Sequence, residues 1–380
     1  MDFQIIHTES LNSVTGFDAC DYMQIYGRNR GGQSISLLVE GVQSYFYFSV
    51  GRAFRNQPRE FILDLNARLA ARIGWDSCRR YACANKDCPD TGAYKTYTPR
   101  TPCFDPCMHY QRKDVSDDMV TLHPETFKKK PLVGFTAEPR TYHRADVAHP
   151  YWLSYCKNMA QKMEDVVLFE AHIDPVTRFM TDTGLVGCGW ATFKPNGRQM
   201  PPGYKCTSDI QHVVHARDIS ALEEDGCVPL RILAFDIECV SPSGDFPEAK
   251  KGDDQIIQIS AVTLKYGQEL GDGRKHVFVL DGCDPIAGVV LHPFTSERSL
   301  LCAWKRFVME EDPDIISGYN SNQFDLPYLF DRAKALGLRD FACQGKIRDR
   351  PRVQFRHVFQ SAQTGALSWE RHLISGRVCM

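Results

Sequence analysis

The spacing of hydrophobic positions changes repeatedly along the chain, and each change predicts an element. Residues 1–50 carry short β-prone blocks. Ser34 to Val39 alternates, Tyr45 to Val50 is aromatic, and breaks fall at 27–32 and at Glu40-Gly41. These blocks read as strands. From Pro58 the period lengthens. Phe61, Ile62, Leu65, Leu69 and Ile73 share one helical face, with Gly74 as the expected stop. Together they form a small αβ module. Residues 76–150 lose periodicity and gather Pro, Cys and charge, the texture of a loop-rich insertion. Helical spacing returns from Tyr151 to Met163. It returns again after Asp174-Pro175 through Val176, Phe179 and Met180, with a stop at Gly184. Residues 194–203 are turn chemistry. Residues 218–229 are acidic, contain Gly226 and Pro229, and read as a linker.

Beyond Pro229 the texture differs. Arg231 to Cys239 is a short, mostly apolar run, as expected of a buried strand. Ile256 to Leu264 and His276 to Leu280 read as two more strands. Thr295 or Ser296 can cap a helix whose inner face is Leu300, Leu301, Trp304, Phe307 and Val308. Ile315-Ile316 is a short strand, and a turn leads into a helix from Asp325 to Leu336, closed by Gly337. Three strands followed by helix, strand and helix predict a mixed sheet flanked by helices, an α/β fold.

Composition narrows the class. The chain has 380 residues, 43% hydrophobic and 24% charged, which suits a folded protein of two or three domains. Its net charge of −2 demands no nucleic acid, yet leaves room for a local basic groove. No apolar run reaches the roughly 18–20 residues of a membrane span, and we expect no membrane partner. The acidic Met1-Asp2-Phe3-Gln4 start reads as no signal peptide. The 15 cysteines are then expected as free thiols in a reducing compartment. No internal repeat is evident.

Candidate chemistry concentrates on acids. Asp236 and Glu238 are two apart on an otherwise apolar strand, so both carboxylates project from one face. Side by side they repel, unless something cationic sits between them. Carboxylate oxygens suit hard cations such as Mg²⁺. A pair of such ions activates a water and stabilises the leaving oxygen of a phosphodiester. A strand end facing water explains the same pair. Asp325 opens a helix, where the dipole favours a carboxylate; a plain helix cap explains it equally. The two segments in one chain make coincidence the weaker account.

These residues resemble the 3′–5′ exonuclease domain of B-family DNA polymerases, of the delta type found in cells and in large DNA viruses. Phe235-Asp236-Ile237-Glu238 is similar to the first exonuclease motif. Gly318-Tyr319-Asn320 through Phe324-Asp325-Leu326-Pro327-Tyr328-Leu329 is similar to the second. Gly244 to Glu248, Gln255 to Ile259, Phe179-Met180, Gly184, Gly187 to Trp190 and Gln363-Thr364-Gly365 resemble the delta type as well. The likeness runs from about residue 165 to the end, and more weakly over 20–75. It implies an N-terminal αβ domain over 1–224, with the Cys-rich insertion at about 76–150. An RNase H-like exonuclease domain with a mixed sheet is implied over 225–380. Asp236, Glu238 and Asp325 are implied as catalytic, Mg²⁺-binding carboxylates, and Asn320 and Phe324 as residues shaping the strand path. Packing is the other reading of Phe324.

Two family features are missing from these residues: the third exonuclease motif, Tyr-x-x-x-Asp, and the polymerase palm. The exonuclease domain is therefore expected to be incomplete, and the chain to be the front part of a polymerase. On its own it is expected to show little or no activity. Implied partners are DNA, as a single-stranded 3′ end and as template, and deoxynucleotides for the full-length enzyme. A sliding clamp and accessory subunits are implied by family only. The expected location is the nucleus for a cellular protein, and the host nucleus or cytoplasm for a viral one. Two other functions stand beside this: a self-contained nuclease of the same acidic class, and a non-catalytic DNA-binding or assembly subunit.

Weaker features follow. Cys78, Cys83, Cys88, Cys103, Cys107 and His109 cluster in the insertion, but their spacing is irregular for zinc; we expect loop thiols there. Lys346, Arg348, Arg350, Arg352 and Arg356 form a basic stretch with Phe355 and His357. It reads equally as a groove for single-stranded DNA or as solvated surface charge. Tyr45 to Phe48 are expected to pack in a core rather than to stack on bases.

Overall fold

The computed structural model describes residues 1–10, 23–80, 119–130, 138–147, 150–198, 200–201, 204–361 and 365–380. The chain divides into two compact units, residues 1–41 with 180–380, and residues 42–179. In chain order the strands and helices are β1 (Asp2–Ser10), β2 (Met23–Arg28), β3 (Ser34–Glu40), β4 (Ser44–Val50), α1 (Pro58–Arg80), β5 (Val120–Lys129), β6 (Arg140–Val147) and α2 (Pro150–Ala160). There follow β7 (Val166–Phe169), α3 (Pro175–Thr183), β8 (Trp190–Phe193), β9 (Ile210–His215), β10 (Ile219–Leu222), β11 (Arg231–Val240), β12 (Gln255–Lys265) and β13 (Arg274–Leu280). The last are β14 (Val289–Phe294), α4 (Glu297–Glu311), β15 (Ile315–Ser317), α5 (Asp325–Ala335), β16 (Val353–Ser361), β17 (Gly365–Leu373) and β18 (Val378–Cys379).

The smaller unit is a four-stranded sheet, β5-β6-β4-β7, all antiparallel. Phe46 and Phe48 face Phe61, Leu65 and Leu69 of α1 and Cys156 and Ala160 of α2. Tyr45 and Tyr47 pack on the opposite face with Tyr142, Phe127 and Phe169. That face is closed by guanidinium groups, Arg144 and Arg178, lying 3.9 and 4.6 Å from the Tyr45 ring centroid. All four aromatics are thus buried, as core packing requires. Two expectations fail here. Helix α1 runs on through Gly74 to Arg80, because an isolated helical glycine costs only about 1 kcal/mol and does not by itself end a helix. The stretch read as loop holds β5 and β6. Their alternation is interrupted by charge and by a register shift between Leu122 and Thr126. Cys78 falls on the last turns of α1, and Cys83, Cys88, Cys103, Cys107 and His109 lie outside the described residues.

The larger unit carries two six-stranded sheets. The first, β10-β8-β1-β2-β3-β9, is antiparallel apart from the β3–β9 pair. Its edge strand β10 lies within the stretch read as linker. The second, β14-β13-β12-β11-β15-β18, is mixed. Strands β11, β12 and β13 are antiparallel neighbours, whereas β15 and β18 run parallel to β11. This is the mixed sheet expected over 225–380, and it is extended by β14, which pairs parallel to β13. Strands β16 and β17 form a separate antiparallel hairpin.

Helix α4 starts where Ser296 accepts from the Ser299 amide and buries the face read from the sequence. Leu300, Leu301, Trp304, Phe307 and Val308 join Phe235, Ile237, Ile259 and Phe278 in one core. Helices α3 and α5 end as expected, with Gly184 and Gly337 in left-handed conformation (φ 70° and 72°). Between the two sheets sits a cluster of buried ions. Arg28 of β2 grips Asp314 with two bonds of 2.8 and 2.9 Å. Lys346 holds Asp312 at 2.8 and 2.9 Å, and Arg377 holds the same carboxylate at 3.0 Å. Burial pushes the Lys346 ammonium and the Arg377 guanidinium down from their ordinary values. Such charges are tolerated only because each faces an opposite one.

Candidate active site

Strand β11 places the first two acids. Phe235 and Ile237 point into the core, at 4% and 5% exposure, so Asp236 and Glu238 between and after them face outward on one side. The third acid comes from α5. Asp325 is buried, and its Oδ1 accepts the Ile237 backbone N–H at 3.2 Å. One carboxylate oxygen is thereby fixed against the strand that carries the other two acids.

Residues 318–324 explain how the helix comes this close. A Cβ at Gly318 would stand 2.5 Å from the Phe235 carbonyl oxygen. Only glycine lets the turn lie directly on β11. Asn320 follows in left-handed conformation (φ 54°), and its carbonyl accepts from the amides of Gln323 and Phe324 at 3.0 and 3.2 Å. Its side chain is exposed. Phe324 is half-buried between two rings, Phe246 and Tyr328, each with centroids 5.6 Å away.

The electrostatics follow from burial. Desolvation pushes the Asp325 carboxyl from its ordinary 3.8 up to about 6, and the neighbouring Asp236 carboxylate adds to the rise. The Ile237 amide works in the opposite direction. Burial also pushes the nearby Cys239 thiol up to about 12, so it is no nucleophile at neutral pH. The structure therefore brings Asp236 and Asp325 together, and leaves Glu238 exposed two residues along the same face. Among the described residues, no three acid, His or Cys side chains converge as a ready metal site. The chemistry of the donors nevertheless fits a hard cation, which would relieve the repulsion that raises Asp325.

The basic stretch takes a different role from either expected one at two positions. Lys346 is enclosed in the ion cluster, and Arg350 is buried against Glu9 at 2.9 Å. Arg352 lies 4.0 Å over the Phe330 ring. Arg348 is exposed.

The family model described as DNA polymerase family B, exonuclease domain, matches residues 166–380. The chain belongs to DNA polymerase family B. The chain is similar to proteins named DNA polymerase delta catalytic subunit. The protein from Dictyostelium discoideum is 32% identical over 62% of this chain and 22% of its own length. That from Bos taurus is 36% identical over 56% of this chain and 19% of its own. That from Caenorhabditis elegans is 29% identical over 99% of this chain and 33% of its own. The chain thus spans a fifth to a third of the length of these relatives. The family B DNA polymerase of the archaeon Pyrobaculum calidifontis has a similar fold. It has a TM-score of 0.59 and 21% identity, covering 100% of this chain and 36% of that one.

In this family B chain the sequence patterns located the acidic strand and the turn before α5. They gave no role to Phe246, although it lies in the segment Gly244 to Glu248 that resembles the delta type. Nor did they give one to Tyr328, whose hydroxyl donates to the Asp254 carbonyl at 2.9 Å. An aromatic residue inside a Gly-Asp-Phe-Pro turn was the available signal for Phe246.

Proposed function

We propose that residues 1–380 form the front part of a replicative, delta-type family B DNA polymerase. On this reading they carry the N-terminal domain, residues 1–224, and part of a 3′–5′ proofreading exonuclease, residues 225–380. The observation that carries the reading is the convergence of Asp325 on β11 beside Asp236, with Glu238 on the same strand face. Asp236, Glu238 and Asp325 would hold Mg²⁺. Metal held by these carboxylates would supply activation of a water and stabilisation of the leaving 3′ oxygen of a phosphodiester. The chain's own residues do the rest. The Ile237 amide fixes Asp325, and the Asn320 turn sets the start of α5. Phe246, 74% exposed and in ring contact with Phe324, offers an aromatic border for the terminal base of a single strand.

The substrate is then the 3′ end of DNA, with template and deoxynucleotides engaged by the whole polymerase, along with a clamp and accessory subunits. A cellular protein would act in the nucleus, and a viral one in the host nucleus or cytoplasm. Among the described residues, no helix is long and apolar enough to cross a membrane.

Because the third exonuclease motif is not among these residues, the test reads binding before turnover. A labelled single-stranded oligodeoxynucleotide is titrated with the chain in Mg²⁺ and in EDTA, with a free or a blocked 3′ end. We expect Mg²⁺-dependent preference for the free end, its loss in Asp236→Ala, and little shortening of the strand. Binding that ignores metal, 3′ end and Asp236→Ala would instead assign a non-catalytic DNA-binding role. Robust turnover by residues 1–380 would assign a self-contained nuclease.

A further inference from the structure

Helix α5 does more than present Asp325. Asp325, Tyr328 and Arg332 are spaced i, i+3 and i+7, so they lie along one stripe of the helix. Asp325 binds the Ile237 amide, Tyr328 binds the Asp254 carbonyl, and Arg332 reaches farther along the same segment. Its guanidinium donates to the carbonyls of Ala249 at 3.4 Å, Gly252 at 2.8 Å and Lys251. The remaining donors close a two-bonded pair with Glu297 of α4, at 2.7 Å each. Arg332 and Glu297 are 1% and 4% exposed. Glu297 also accepts the Ile256 amide at 2.9 Å, which ties the start of β12 to the same point.

The contacts of Tyr328 and Arg332 fall on the C-terminal part of the loop 241–254, from Ala249 to Asp254. The loop is stiffened internally by Asp254, which accepts from Ser241 Oγ at 2.9 Å and from the Glu248 amide at 2.7 Å. Its free tip carries Phe246, and that ring meets Phe324, the residue before Asp325. A single buried guanidinium therefore sets where the loop leaves the body, on the same helix that sets the acid.

We propose that Arg332, held by Glu297, is a positioning residue of the exonuclease site, acting through the loop 241–254 to hold Phe246 at the strand's 3′-terminal base. This rests on the exonuclease reading above. A planar fork with fixed donors suits the task, because a lysine keeps the charge but cannot reach three carbonyls and a carboxylate at once.

The test uses the 380-residue chain in Mg²⁺ and a single-stranded oligodeoxynucleotide with 2-aminopurine as its 3′-terminal base and a phosphorothioate at its last linkage. Arg332→Lys, Phe246→Ala and the double variant are compared with wild type. We expect each single variant to weaken binding of the 3′ end about tenfold, the scale of losing one base–aromatic stack. The double variant should bind no more weakly than Phe246→Ala, since Arg332 acts through that ring. A purely structural arginine would give additive losses, and additive losses overturn the proposal. So does an Arg332→Lys variant that binds like wild type. If wild type itself shows no preference for a 3′ end, the exonuclease reading fails first. Should Arg332→Lys not fold, hydrogen exchange on wild type decides. The amides of Glu248 and Lys251, bonded within the loop, should exchange slowly, and exchange at free-peptide rates overturns the clamp.

Discussion

Replacing Asp325 by Asn in the metal-free chain should raise its stability at alkaline pH. Burial and the adjacent Asp236 hold this carboxyl at about 6 rather than 3.8. The native state thus keeps the proton over a range in which the unfolded chain has released it. Stability falls as pH rises through that window, and the full cost stands above about 6. A displacement of this size corresponds to about 3 kcal/mol at pH 8, of which about half is already present near pH 5. Asparagine keeps an oxygen for the Ile237 amide and removes the charge. Urea unfolding in EDTA should therefore show Asp325→Asn more stable than wild type by about 1–3 kcal/mol near pH 8, with the gap narrowing near pH 5. Added Mg²⁺ should reverse the order, because only the carboxylate gains from the ion. A variant less stable than wild type at pH 8 in EDTA would refute the reasoning. A gap that ignores pH would do the same.

Other expected outcomes follow from neighbouring contacts. Asp236→Ala should leave stability within about 0.5 kcal/mol, because the side chain is exposed. It should also abolish Mn²⁺ binding followed by electron paramagnetic resonance and lower the Asp325 titration midpoint followed by NMR. Arg28→Met should destabilise the larger unit by about 1.5–3 kcal/mol, since the fully buried Asp314 carboxylate loses its two-bonded partner and keeps only the Arg231 amide at 2.9 Å and the Lys346 ammonium at 3.7 Å; denaturant titration measures this. Gly318→Ala should cost about 2 kcal/mol or more and weaken Mg²⁺ binding, because the added Cβ meets the Phe235 carbonyl at 2.5 Å. A melting temperature equal to wild type would show that the turn does not rest on β11 as described.

How much of this was legible in the sequence depended on whether a residue looked out of place. Asp236 and Glu238 interrupt an apolar strand, and a charged pair in that setting signals chemistry before any fold is known. Helix α4 announced its start and its buried face, and helix α5 announced its two ends, since Ser296 and Gly337 are chemically suited to those positions. The strands β5 and β6 did not announce themselves. Their hydrophobic alternation is diluted by Lys, Arg and His, and a register shift breaks the period. The mixed sheet was readable in β11, β12, β13 and the short β15, whose apolar, β-branched positions dominate despite the polar residues between them. Strands β14 and β18 were not, because one contains Pro293 and the other spans only Val378–Cys379.

The buried charges were the harder case. Arg332 sits in a helix with Asp331 and Lys334 beside it, and by composition it is one solvated charge among several. Lys346 and Arg350 looked like part of a basic surface. What removes each from solvent is a carboxylate distant in sequence: Glu297 for Arg332, Asp312 for Lys346, Glu9 for Arg350. No local pattern records such a pairing, because it exists only once the sheets have assembled. An acid at a site is visible from its misfit with its neighbours, whereas the group that positions it is visible only from its fit with distant ones. Arg332 is therefore where the structure adds most to the sequence. Its guanidinium joins α4, α5 and the loop bearing Phe246 at a single point, next to an acid whose charge the fold holds at a cost.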